Sequence, residues 1–98
     1  MSEPDELIHQ SLRLKIMASL AAAQSDGPLD FPRLRALVGA TDGNLGSHLT
    51  TLEKAGYVVT TKDFVGRKPR TRVAITSTGA RAFRNHVDYL RTVIEAAD

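Results

Sequence analysis

Asn44, Ser47, Thr50, Thr51 and Lys54 lie close together in the chain, and their amide, hydroxyl and ammonium groups are suited to hydrogen-bonding. Groups of this kind read base edges and contact phosphates in a DNA groove without burying an acid. Just downstream come Lys62, Arg67, Lys68, Arg70 and Arg72, with Asp63 the sole acid among them. Residues 62–72 thus carry +4 and the rest of the chain −2. Concentrated positive charge of this sort neutralises phosphates. A solvated charged hairpin would have the same composition, so the bases gain meaning from the polar set beside them.

Other chemistries find little support. The chain contains no cysteine, which removes disulfides, thiolate catalysis and cysteine-ligated zinc. Ser, His and Asp occur without a nucleophile elbow, a phosphate-cradling glycine loop or paired carboxylates, so no enzyme is expected. His9, His48 and His86 are far apart in sequence. His86 with Asp88 has only a weak metal-ligand spacing, better explained as ordinary polar residues on a helix surface. No metal or cofactor is expected. His48 flanks an apolar stripe and fits a packing role as well as a contact to base or phosphate.

The polar set needs a helix to present it. Leu45, Leu49 and Leu52 form an apolar stripe, Thr41 or Asp42 can cap its start, and Gly56 can stop it in a left-handed conformation. Upstream, Leu7, Ile8, Leu12, Ile16, Met17 and Leu20 predict a first helix over 5–23, with Ser2 and Asp5 as candidate caps. Leu29 suits a very short strand. Asp30 caps a second helix with Phe31, Leu34, Leu37 and Val38 inward, and Pro32 fits in its first turn. Residues 39–41 link this helix to the polar one.

Downstream, β-rich runs over 57–61 and 71–75 flank a bend marked by Gly66 and Pro69. Thr71, Val73 and Ile75 alternate with Arg70, Arg72 and Ala74, so one face packs on the helices and both arginines point away. Thr76 or Ser77 then caps a last helix reaching towards Ala96. Ala80, Phe83, Val87, Leu90 and Ile94 give that helix a heptad-like seam, with Tyr89 and Val93 on its flank.

With 98 residues, 42% of them hydrophobic, one compact domain over 1–98 is expected. It divides into a first helix (1–23), a helix-turn-helix core (29–56), a wing hairpin (57–76) and a C-terminal helix (77–97). The fold class is mainly α with a small β-hairpin (α+β), a winged helix-turn-helix with an added C-terminal dimerisation helix. Small domains gain from an interface, and Phe83, Val87, Tyr89, Leu90 and Ile94 are the expected dimer contacts. No run approaches the roughly 20 apolar residues of a membrane span, and the acidic start lacks a signal-peptide pattern. A cytoplasmic address and no membrane partner are expected.

Taken in order, several segments resemble small winged-helix transcriptional regulators of the MarR-like and ArsR-like groups. These are Thr41-Asp42-Gly43-Asn44-Leu45, Ser47-His48-Leu49, Leu52-Glu53-Lys54-Ala55-Gly56-Tyr57-Val58, Phe64-Val65-Gly66-Arg67-Lys68-Pro69-Arg70-Thr71 and Thr76-Ser77-Thr78-Gly79-Ala80-Arg81. The resemblance spans residues 29–90 and implies a homodimer on double-stranded DNA. Its third helix would enter the major groove of a pseudo-palindromic site, and each wing would reach flanking backbone or minor groove. By position, Asn44, Ser47, His48 and Thr51 would face the groove, with Asp42, Thr50 and Lys54 completing the helix's candidate set. Arg67, Lys68 and Arg70 would be wing contacts, joined by Lys62 and Arg72. Gly46 departs from the pattern, since relatives often carry a side chain there, and costs the helix about 1 kcal/mol relative to Ala. A small-molecule effector, if one acts, belongs between the first and last helices at the dimer interface. The rival functions are a protein-interaction module and an architectural DNA-coating protein without sequence preference.

Overall fold

The computed structural model describes residues 3–97. Its elements run α1 (Ser11–Ala22), a 3-10 turn (Gln24–Asp26), β1 (Leu29–Asp30), α2 (Phe31–Val38), α3 (Asp42–Lys54), β2 (Val58–Val65), β3 (Lys68–Ile75) and α4 (Ser77–Ala96). The mainly helical class with a small antiparallel sheet is therefore present as expected, in the order β1-β3-β2. Among the described residues no helix is long and apolar enough to cross a membrane.

One core unites these elements. Ile8, Ile16, Met17, Leu20, Leu34, Val38, Leu45, Leu49, Leu52, Val58, Val73 and Ile75 are all buried. Each stripe read from periodicity supplies part of it, and aliphatic burial at roughly 25 cal/mol per Å² is its main source of stability. Leu37, expected inward on α2, is instead exposed. α2 buries Leu34 and Val38, one turn apart, with Phe31 packed against the core beside them, and Leu37 falls outside that stripe.

The chain's beginning departs from expectation. The first helix starts at Ser11, capped by the Gln10 side chain, which accepts from the Arg13 amide at 2.9 Å. Residues before it form a turn because Asp5 Oδ1 accepts from the amides of Leu7 (2.9 Å) and Ile8 (3.1 Å). Such local carboxylate-to-backbone bonds compete with helix, so Asp5 caps a turn and Ile8 reaches the core from outside α1. Ser2, the other candidate cap, lies outside the described residues.

The remaining punctuation is clear. Thr41 caps α3 by accepting from the Asn44 amide at 3.2 Å, and Gly39 and Gly56 take left-handed conformations at helix ends. Asp30 occupies the N-cap position of α2 without making a side-chain cap bond. Thr76 caps α4 by accepting from the Gly79 amide at 2.9 Å. The strands are longer than the β-rich runs, pairing from Val58 with Ile75 out to Val65 with Lys68. Gly66 and Arg67 alone make the bend, Gly66 at φ 63. Pro69 sits within β3 opposite Phe64 rather than in the bend. It is tolerated there because β1 reaches β3 only at Arg72 and Val73, leaving the Pro69 end of that side an edge.

Candidate nucleic-acid interface

α3 shows its core stripe and its polar residues on different sides. Leu45, Leu49 and Leu52 are buried, while Asp42, Asn44, Ser47, Thr50 and Lys54 are exposed. Thr51 and His48 are half-buried on a flank. Asp42 pairs with Arg35 of α2 at 3.0 Å. The hydroxyls of Thr50 and Thr51 donate to the carbonyls of Gly46 (3.0 Å) and Ser47 (3.3 Å), which leaves their oxygens as acceptors.

His48 has a definite partner. Its Nδ1 accepts from Arg13 Nε at 3.0 Å, and the same guanidinium donates to the Leu7 carbonyl at 3.2 Å. Arg13 thereby ties α3 to α1 and to the turn before it, a brace that sequence reading did not foresee. With Nδ1 accepting, a neutral His48 carries its proton on Nε2.

The wing is braced on both faces. On the side towards α3, Glu53 accepts from the Thr60 amide (3.1 Å) and hydroxyl (2.7 Å). Those two bonds hold the Glu53 carboxyl below its ordinary pKa. This keeps the one acid in the second half of α3 occupied by the sheet. On the opposite side, Asp63 accepts from Arg70 Nε (2.9 Å) and an Arg70 terminal nitrogen (2.6 Å), with Arg72 at 3.4 Å. The Arg70 hydrogen bonds hold the Asp63 carboxyl below its usual range. Arg70 and Arg72 do lie away from the helices, yet each is half-buried and joined to Asp63. Among the described residues, Lys62, Arg67 and Lys68 form no ion pair and are exposed.

Two glycines on α3, Gly43 and Gly46, have nothing within 4 Å of where a Cβ would stand. Neither is required by packing. Gly46→Ala is therefore expected to raise stability by about 0.5–1 kcal/mol through helix propensity alone. Urea or thermal unfolding checks this, and a fall in stability would mean a constraint on Gly46 that packing does not reveal.

The other side of the molecule is built around a buried histidine. His86 is 0% exposed, whereas Asp88 is exposed, so the surface reading of the pair is corrected for His86. Positions two apart on a helix face different ways. His86 Nδ1 accepts the Asp5 amide at 3.0 Å, its ring lies 5.9 Å from Tyr89 in a stacked arrangement, and His9 meets it edge-on at 5.4 Å. Asp5 also receives the Tyr57 hydroxyl at 2.6 Å, and that bond pushes the Tyr57 pKa up to about 12. Asp5 is thus a clasp joining the N-terminal turn, the start of the wing and α4. Within the expected dimer set, Phe83, Val87, Tyr89 and Leu90 are half-buried, and Ile94 is 66% exposed.

Burial first, and then the charge of His9, push the His86 pKa below its ordinary 6.5. A histidine kept neutral in the fold contributes stability that is complete above the unfolded value and is lost as pH falls from there through the folded value. Unfolding free energy is expected to drop on acidification below pH 6.5. His86→Asn, which keeps an acceptor near Nδ1, should flatten that part of the profile. An unchanged acid slope would disprove the assignment.

Similarity to known proteins follows the same architecture. A family model described as a winged helix DNA-binding domain matches residues 12–94. An uncharacterised protein of Methanocaldococcus jannaschii is 33% identical over 82 residues, 84% of this chain and 86% of that protein. The solved structure of a transcriptional regulator homologue from Pyrococcus horikoshii OT3 superposes with a TM-score of 0.87 at 32% identity, covering 96% of this chain and 90% of that one. A putative transcriptional regulator from Salmonella typhimurium shares the fold, with a TM-score of 0.71 at 23% identity over 93% of this chain and 77% of its own.

Proposed function

The chain belongs to the winged-helix DNA-binding domain family, and on that premise we propose that, like the MarR-like and ArsR-like regulators it resembles, it regulates transcription as a sequence-specific homodimer on double-stranded DNA. In this reading α3 enters the major groove, and the wing lies on flanking backbone or minor groove. The observation that carries it is the exposed row Asn44, Ser47, Thr50 and Lys54 beside a wing whose Lys62, Arg67 and Lys68 pair with no acid among the described residues, while nearby Glu53 and Asp63 are internally engaged. A duplex approaching that side meets donors, acceptors and free positive charge, with those two carboxylates already occupied.

The homodimer rests on α4. Its seam ends in exposed Ile94 with exposed Val93 beside it, and exposed Arg84, Asp88, Arg91 and Glu95 alternate in sign along the helix. Two copies running antiparallel about a point between Asp88 and Arg91 set each base against an acid. Parallel copies set like charges together. A two-fold axis of this kind matches the symmetry of a pseudo-palindromic site.

Selection of bound fragments from a genomic library, followed by footprinting, tests the function. The expected result is discrete sites with half-sites about one helical turn apart, roughly 10 bp centre to centre. Uniform coating of all fragments would replace the regulator with an architectural protein. Sedimentation should give a dimer at tens of micromolar, and a monomer there would remove the two-fold model.

A further inference from the structure

The end of the wing carries apolar side chains that no part of the fold uses. Phe64 is 69% exposed and Val65 56% exposed, and neither belongs to the core. They lie beyond the braced part of the hairpin: the Asp63–Arg70 pair is the last one held by an ion pair, and past it come only Phe64 with Pro69, Val65 with Lys68, and the turn at Gly66 and Arg67. Three residues of strand from Asp63 to Gly66 project about 10 Å, taking roughly 3.3 Å per residue. Isolated exposed apolar residues are common on protein surfaces, but here two large ones are consecutive at the turn end of the hairpin.

We propose that the wing tip is an apolar wedge for duplex DNA, in which Phe64, backed by its cross-strand neighbour Pro69, enters the minor groove and partly unstacks a base step so that the duplex kinks. This rests on the DNA-binding reading above and adds to it a deformation of the DNA and the residue responsible. The arrangement of charge selects a nucleic acid as the occupant. Side chains alternate along a strand, so Phe64 shares its face with Lys62, and Val65 shares the other face with its cross-strand partner Lys68. Each face of the tip therefore joins apolar side chains (Phe64 with Pro69 on one, Val65 on the other) to a lysine that pairs with no acid among the described residues, and Arg67 stands at the turn between them. A minor groove offers the matching surface, two phosphate walls with base edges and a stack between them. Inserted Phe, Leu, Ile, Met or Pro side chains unstack such steps and bend the duplex by roughly 20–90°. Pyrimidine–purine steps kink most readily, so the wedge would add sequence preference where no base edge is hydrogen-bonded.

The test uses the full chain and duplexes recovered as bound fragments, with bending read by end-to-end fluorescence transfer and unstacking by 2-aminopurine placed at successive steps of the flank. Wild-type protein should bend the duplex and raise 2-aminopurine fluorescence at one step on each side of the site. Phe64→Ala should fold with unchanged thermal stability, bind within about tenfold of wild type with the same salt slope, and lose both signals; Phe64→Leu should retain them. Equal bending by wild type and Phe64→Ala, or tight binding of a straight duplex by wild type, would overturn the wedge while leaving the DNA-binding reading intact. A Phe64→Ala chain that bends DNA normally but no longer self-associates would assign the tip to a protein contact and also overturn it. Failure of wild type to bind any duplex would remove the parent reading and this one together, and is recognised by the absence of binding before any variant is compared.

Discussion

Gly79→Ala is expected to destabilise this protein by about 1–3 kcal/mol, the penalty for forcing extra volume into a packed site. Helix propensity alone predicts the reverse, a gain of up to about 1 kcal/mol in the first turn of α4. Packing decides the sign. A Cβ at Gly79 would overlap the backbone carbonyl of Tyr57, which cannot rotate aside as the end of a flexible side chain could. That carbonyl already accepts from the Thr76 amide at 3.0 Å, and the Thr76 hydroxyl donates to the Gly56 carbonyl at 2.6 Å. Relief of the clash would have to move the start of α4 away from the corner between α3 and β2, breaking these bonds together. For a domain of this size each kcal/mol is about 4–8 °C of Tm, so thermal unfolding will resolve the effect easily. Gly46→Ala provides the contrast, the same substitution in a helix with open space around it and the opposite expected sign. A Gly79→Ala chain as stable as wild type would mean that α4 does not sit against Tyr57 as described.

The contrast between those glycines also shows where sequence reading runs out. α3 was readable from end to end, because cap, stripe and stop all lie within one local segment and each acts on its neighbours. Gly79 was visible as part of a motif, but its constraint comes from Tyr57, a contact that periodicity does not encode. The first helix is shorter than its periodicity predicts for a related reason. Leu7 and Ile8 continue the helical spacing of α1, while the turn that contains them is held by Asp5, whose amide is bound 81 residues away by His86. Spacing from Gly79, Phe83 and Leu90 puts His86 on the inward stripe of α4, but residue type masks this, because a histidine between polar Asn85 and Asp88 suits a surface equally well. The wing was an intermediate case. Lys62 and Asp63 interrupt the β-rich run, so the strands looked short. Placing a two-residue turn at Gly66 and Arg67 would have set Asp63 opposite Arg70 and Phe64 opposite Pro69 by counting alone. Pro69 obscured that register by marking a bend of its own. The exposed row on α3 and the exposed wing bases were legible from residue type and spacing. The engagement of Arg70 and Arg72 by Asp63 and the tie from Arg13 to His48 depend on side-chain geometry and were not.

Separate roles for α3 and the wing should appear as two different kinds of loss. Arg67→Ala with Lys68→Ala removes two exposed bases per protomer that form no ion pair among the described residues. Each phosphate contact contributes about 0.9 to the slope of log K against log salt, so the slope should fall by roughly 1.8 per protomer. Because phosphates are present in every sequence, affinity should drop by at least about tenfold on selected and random duplexes alike. Asn44→Ala removes an exposed side chain with both donors and acceptors from the α3 surface. A bidentate base contact is worth about 1–3 kcal/mol of discrimination, so the ratio of selected to random affinity should shrink by roughly 5- to 150-fold with little change in salt slope. Ser47→Ala should act in the same direction and more weakly, having a single hydroxyl to lose. Titrations of both duplexes at four or five salt concentrations provide the slope and the ratio in one data set. Equal losses for both classes of substitution on both duplexes would refute the division, and with it the placement of α3 rather than the wing as the reader of sequence. The internal pairing of Asp63 sharpens the comparison. Arg70→Ala leaves that carboxyl with only the longer 3.4 Å contact to Arg72, so it should weaken binding by exposing a less compensated acid as well as by removing a base, and its effect should exceed that of Lys68→Ala alone.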